Sequence, residues 1–105
     1  MTDLKLLIDK TDQVNKQFIN HSDWTVQSRV LNLVEEVGEL CNAILITEGY
    51  KPEKRRKSQI TDSLCDILYN LLALSNQYKL DLDSEYLKML DQLSVRINNK
   101  EFNDD

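Results

Sequence analysis

Apolar residues recur along this chain in steps of three and four, the spacing that lines one face of a helix. Leu4, Leu7, Ile8, Val14 and Phe18 predict a first helix over residues 3–20, capped by Thr2. Asn20, His21, Ser22 and Asp23 then break the pattern with residues that favour turns. Val30, Leu33, Val34, Val37, Leu40, Cys41, Ile44 and Leu45 give a second helix, from about Thr25 to Thr47, a broad apolar face, and Gly49 is its stop. Between Gly49 and Gln59 the periodicity disappears into a mobile loop rich in Lys and Arg. A third helix is predicted over Ser58–Tyr78. It is apolar around much of its circumference, through Ile60, Leu64, Ile67, Leu68, Leu71, Leu72 and Leu74, and so is expected to be central and buried on most sides. Lys79 to Leu82 connect it to a fourth helix over 84–98, capped by Asp83 and carrying Tyr86, Leu87, Leu90, Leu93, Val95 and Ile97. Residues 98–105 are polar and expected to fray.

Four such helices predict an all-α four-helix bundle in one domain over 1–105, with its core in 3–97. With 2 Gly and 1 Pro the chain has few tight turns, which argues against a many-stranded sheet. The apolar faces are broad for a lone small bundle and suggest completion by oligomerisation.

A net charge of −5 disfavours a nucleic-acid polymer as partner, because such binding leans on excess Lys and Arg. A small anionic ligand carried by a metal is still compatible with that charge. No apolar run approaches the roughly 18 residues of a membrane span. Asp3 and Lys5 interrupt the start where a leader peptide would be apolar, so a cytoplasmic location is expected. Cys41 and Cys65 fall on or near apolar faces and read as buried, reduced thiols.

The chemistry-bearing residues cluster in two runs. In Leu33–Leu45, three carboxylates, Glu35, Glu36 and Glu39, share a helix with an apolar face. At about 100° per residue, Glu36 lies at the border of that face with Glu39 beside it, and Glu35 points furthest away. One loop later Gln59, Asp62, Asp66 and Asn70 form a polar stripe over three turns, again beside an apolar arc. Carboxylates gathered at a shared core border repel one another and call for a cation or a proton. Oxygen ligands of this kind suit Mg²⁺, or Mn²⁺, with phosphate oxygens and waters completing the shell. The chemistry that follows is metal-assisted hydrolysis of a phosphoanhydride. Gly38, within the first run, reads as a site of close helix packing.

At these residues the chain resembles the MazG-like, all-α nucleoside triphosphate pyrophosphohydrolase superfamily. The resemblance spans residues 24–97. It rests on Glu35-Glu36-Val37-Gly38-Glu39, matching EExxE, and on the segment Asp62-Ser63-Leu64-Cys65-Asp66, where the family carries ExxD. It implies a Mg²⁺-dependent enzyme that splits a nucleoside or deoxynucleoside triphosphate into monophosphate and pyrophosphate, a house-cleaning activity on the nucleotide pool. By resemblance the metal ligands fall on Glu36, Glu39 and Asp66, and Glu35 either supports those ligands from behind or is the base that orients water. The fourth ligand position holds Ser63, and Asp62, on the same face as Asp66, is the candidate substitute. Trp24 is a candidate to stack on the base, or else packs in the core. Asn70 is a candidate to bind the sugar or a metal-bound water, or else is a buried amide satisfied locally. Lys54 and Arg55, in the basic run Lys51–Lys57, are candidates to attract the triphosphate, with a solvated loop as the plainer reading. The resemblance also implies a homodimer or homotetramer. The contrasting function class is a non-catalytic helical dimer that binds nucleotide or a protein partner, and Ser63 favours it. His21 is given no role.

Overall fold

A computed structural model describes residues 3–18, 25–51 and 58–102. The chain forms α1 (Leu4–Asn15), α2 (Val26–Thr47), α3 (Ser58–Gln77) and α4 (Leu82–Asn98), with no strand among the described residues. The fold is all-α, as the periodicity predicts. No helix among the described residues is long and apolar enough to cross a membrane.

Local chemistry sets the helix ends. Thr25 caps α2 through its side-chain oxygen, which accepts from the Ser28 N–H at 3.0 Å. The cap of α1 is Asp3, whose carboxylate accepts from the Leu6 N–H at 2.8 Å; the expected cap, Thr2, lies outside the described residues. Gly49 ends α2 as expected. It takes φ 83°, and the Tyr50 N–H reaches back to the Leu45 carbonyl at 2.8 Å. The same closure recurs after α3 and α4 with Lys79 and Lys100 in the left-handed region, at φ 55° and 60°. There the Leu80 and Glu101 N–H groups bond to Ser75 O and Arg96 O. Helix α4 begins two residues before the predicted start, so Asp81 holds the cap position, without a side-chain bond, and Asp83 lies in the first turn. A carboxylate there faces the positive end of the helix dipole, which is why Asp83 carries a start signal without being the cap. The segment after α4 is pinned rather than frayed as far as Phe102. Arg96 pairs with Glu101 at 3.5 Å and lies 4.6 Å from the centre of the Phe102 ring.

Both α1 and α2 run antiparallel to α3, as their contacts in register require. Tyr69 Oη donates to Asn15 Oδ1 at 3.0 Å and Asn76 Nδ2 to the Ile8 carbonyl at 3.1 Å, which orders α1 against α3. Arg29 Nη1 donates to Asn70 Oδ1 at 3.2 Å, and Glu36, further along α2, meets Asp66, earlier on α3. Among the described residues the buried apolar ones are Ile8, Ala43, Ile46, Leu72 and Ala73.

The helices bury different faces from those the apolar pattern predicts. On α2 the residues shielded by α3 include Arg29, Asn32, Glu36, Ala43 and Ile46, whereas Val30, Val34, Val37, Ile44 and Leu45 are exposed. Helix α3 is central but not buried on most sides: Leu64, Leu68 and Leu71 are exposed. Helix α4 buries no residue. Cys41 and Cys65 are free thiols on these uncovered faces, exposed rather than buried as expected. A Cβ on Gly38 would meet nothing within 4 Å, so this glycine marks an open surface, not close packing. Tyr86, Leu87, Met89, Leu90, Val95 and Ile97 of α4 are exposed as well. A single copy therefore leaves much of its apolar surface uncovered.

Replacing Thr25 by Ala removes the α2 cap and should lower stability by about 1 kcal/mol in chemical denaturation, with Thr25→Ser restoring most of the loss.

Candidate functional site

Glu36 is the centre of the acidic region. It sits mid-helix on the α2 face that packs on α3, so it is half-buried and its Oε2 is shielded from solvent. No donor among the described residues reaches that oxygen. Burial disfavours the charged form, and the carboxylates of Glu39, Asp66 and, more weakly, Glu35 add repulsion. All of these hold the Glu36 pKa above the ordinary carboxylate value. Two ionised carboxylates have no hydrogen to share; a proton on Glu36 would be shared with Asp66. An orphaned, shielded oxygen between like charges is the local condition that a hard cation relieves.

Four of the acids expected in the site meet in this way: Glu35, Glu36, Glu39 and Asp66. Asp62 does not join them. It is exposed and is not among the charges that act on Glu36, because its position on α3 turns it outward. Ser63 is turned inward instead, 7 % exposed. The antiparallel register that sets Asn70 against Arg29 and Asn32 brings Ser63 level with Glu39. The inward position of that α3 turn is thus held by a hydroxyl. No group of three or more acidic, Cys or His side chains close enough to hold one ion occurs among the described residues. The expected set of Glu36, Glu39, Asp62 and Asp66 is therefore not gathered about a point. Mg²⁺ commonly takes only one or two carboxylates and completes its shell with waters and substrate phosphates. Glu36 with Asp66 fits that smaller demand.

Asn70 is 3 % exposed, and its amide is fully engaged. Its Oδ1 accepts from Arg29, and its Nδ2 donates to Asn32 Oδ1 at 2.9 Å and to the Asp66 carbonyl at 3.2 Å. It links helices rather than offering a free amide to a sugar, because both of its N–H groups already have acceptors. Trp24, Lys54 and Arg55 lie outside the described residues. The loop before them contributes one tie, from Lys51 Nζ to Asn42 Oδ1 at 2.7 Å.

Sequence reasoning passed over Arg29, Asn15, Asn32 and Tyr69. Arg29 is 5 % exposed, donates to Asn70 and to Asn15 Oδ1 at 3.2 and 3.3 Å, and lies 5.8 Å from the centre of the Tyr69 ring. A signal was present: Arg29, Asn32 and Glu36 are spaced by three and four, which sets them on one helix face.

The structure is thus an all-α domain with carboxylates brought together between α2 and α3. The family model of the MazG nucleotide pyrophosphohydrolase domain matches residues 24–100, and the chain belongs to that family. No curated protein and no solved structure gives a significant match to it. The matched region begins just before α2, while α1 precedes it and packs on α3.

The raised Glu36 pKa makes a signed prediction. Folding favours the protonated acid, so between the unfolded and folded pKa values the native state binds more protons and stability falls as pH rises. In metal-free buffer Glu36→Gln should raise the melting temperature at neutral pH. The gain should vanish once the pH falls below the ordinary carboxylate range, as a pH series of thermal melts would record.

Proposed function

We propose that this chain hydrolyses a nucleoside or deoxynucleoside triphosphate to the monophosphate and pyrophosphate, with Mg²⁺ or Mn²⁺ held at Glu36 and Asp66. The observation that carries this reading is the shielded, donorless Oε2 of Glu36 among the carboxylates of Glu39, Asp66 and Glu35. When bound, the ion would polarise the phosphate and lower the pKa of a bound water. Glu39, exposed one turn beyond Glu36, reaches the same region through water. Glu35 accepts a proton from the attacking water. The water oxygen bonds to the α-phosphorus, the bond from that phosphorus to the bridging oxygen breaks, and pyrophosphate leaves. Trp24 stacks on the base, and Lys54 and Arg55 draw in the triphosphate. Exposed free thiols suit a reducing compartment, so the cytoplasm is part of this reading.

The same reading includes a homodimer or homotetramer. Val30, Val34, Val37, Cys41 and Ile44 alternate steps of four and three along α2, the seam of a helix that packs on another helix. Together with Leu64, Leu68, Leu71 and Leu87, Leu90, Val95 and Ile97 of α4 they stay uncovered in one copy. Light scattering at micromolar concentration should give at least twice the monomer mass, and a Val34→Glu, Val37→Glu double variant should shift it toward the monomer. A wild-type monomer would remove this part of the reading.

One observation favours a second reading. Ser63 occupies the inward position on α3 and Asp62 faces out, which leaves the acidic group short of a carboxylate. That suits a protein that binds nucleotide, or a protein partner, without turnover. Pyrophosphate release from a panel of canonical and modified nucleoside triphosphates separates the two. The hydrolase reading expects release that requires the metal and falls about 100-fold in Glu39→Gln. A nucleotide that raises the melting temperature while no pyrophosphate appears would support the second reading.

A further inference from the structure

Arg29 is a buried cation that the proposed chemistry does not use. It lies seven residues before Glu36, roughly 10 Å along the helix, and is not among the groups that shift Glu36. What connects it to the acidic site is a chain of hydrogen bonds. Its geometry is specific. One guanidinium nitrogen donates to Asn70 on α3 and the other to Asn15 at the end of α1. Asn15 Oδ1 also accepts from Tyr69 on α3. Asn70 in turn holds Asn32 on α2 and the carbonyl of Asp66, one turn away on its own helix. Three helices are thus joined at one level, and the last bond of the link falls on the residue whose carboxylate faces Glu36. A planar fork with fixed donor directions can span two acceptors on different helices; a lysine ammonium at the end of a flexible stem does not reproduce that span.

We propose that Arg29 is a positioning residue for the acidic site: through Asn70 its guanidinium fork fixes the α3 turn bearing Asp66 against the α2 turn bearing Glu36. The claim about metal rests on the hydrolase reading above, whereas the claim about helix registration stands without it. It also gives the buried polar face of α2 a purpose that an apolar core would not serve, since hydrogen bonds set a register and apolar contacts tolerate sliding.

The test uses the full chain with Arg29→Lys, and with Asn76→Ala as a control. Asn76 makes a bond of the same kind, to the Ile8 carbonyl on α1, but ten residues from Asp66. Two readouts are taken: the Mn²⁺ dissociation constant by electron paramagnetic resonance without nucleotide, and amide hydrogen exchange without metal. Arg29→Lys should weaken Mn²⁺ binding about tenfold and loosen exchange protection around residues 63–70. Asn76→Ala should lower the melting temperature and leave the Mn²⁺ constant in place. An unchanged Mn²⁺ constant in Arg29→Lys, or an equal loss in Asn76→Ala, overturns the proposal. A wild-type chain that binds no Mn²⁺ defeats the metal reading instead. Exchange then decides for Arg29: loosening confined to the Asp66 turn upholds its positioning role, and its absence overturns it. If Arg29→Lys fails to fold, Arg29→Gln, which removes the fork together with the buried charge, takes its place with the same outcomes.

Discussion

The hydrogen bonds that Asn70 makes with Arg29, Asn32 and the Asp66 carbonyl hold α2 and α3 in one antiparallel register, and the acidic site depends on that register. A buried amide with unmet donors is costly, so this contact has few alternatives that satisfy every group. Sliding α3 by a turn would break the Arg29–Asn70 bond and move Asp66 away from Glu36. The polar link thus does for specificity what the small apolar core, built around Ile8, Ala43, Ile46, Leu72 and Ala73, does for cohesion.

Placing Glu36 on the packed face has a consequence for chemistry. Had it lain on the open side with the exposed Glu35, Glu39 and Asp66, water would have screened it too, and the carboxylates would have been an ordinary solvated surface. Shielding strengthens both the repulsion from Glu39 and Asp66 and the attraction to a cation or proton that relieves it. The packing of α2 on α3 thus disposes Glu36 toward a proton or a cation.

Much of this was legible in the sequence. The steps of three and four located all four helices, and the end of α2 and the start of α3 were read to the residue. Helix ends failed where two candidates competed, as at Thr2 against Asp3 and Asp83 against Asp81, because several acceptors in a row can each signal a start. The acidic group was legible through Glu35, Glu36, Glu39 and Asp66. Asp62 was not, because helical geometry alone does not say which border of a stripe is covered by the neighbouring helix. The face of α2 was misjudged for a related reason. Periodicity finds the apolar side and assigns it to the core of one chain, yet here Val30, Val34 and Val37 stay open while Arg29, Asn32 and Glu36 are covered. A pattern of hydrophobicity does not distinguish a face buried within a chain from one available to a second chain. Arg29 shares a face with Asn32 and Glu36 in the sequence, but a lone charge on a helix reads as solvated until its partners on other helices are known.

The central claim is that this acidic helix pair directs water to the α-phosphorus of a nucleoside triphosphate. The most direct measurement is hydrolysis in ¹⁸O-labelled water with Mg²⁺, followed by mass analysis of the products. The account predicts one labelled oxygen in the nucleoside monophosphate and none in the pyrophosphate. Label in pyrophosphate or in released orthophosphate would contradict it, as would intact triphosphate after prolonged incubation with well-folded protein.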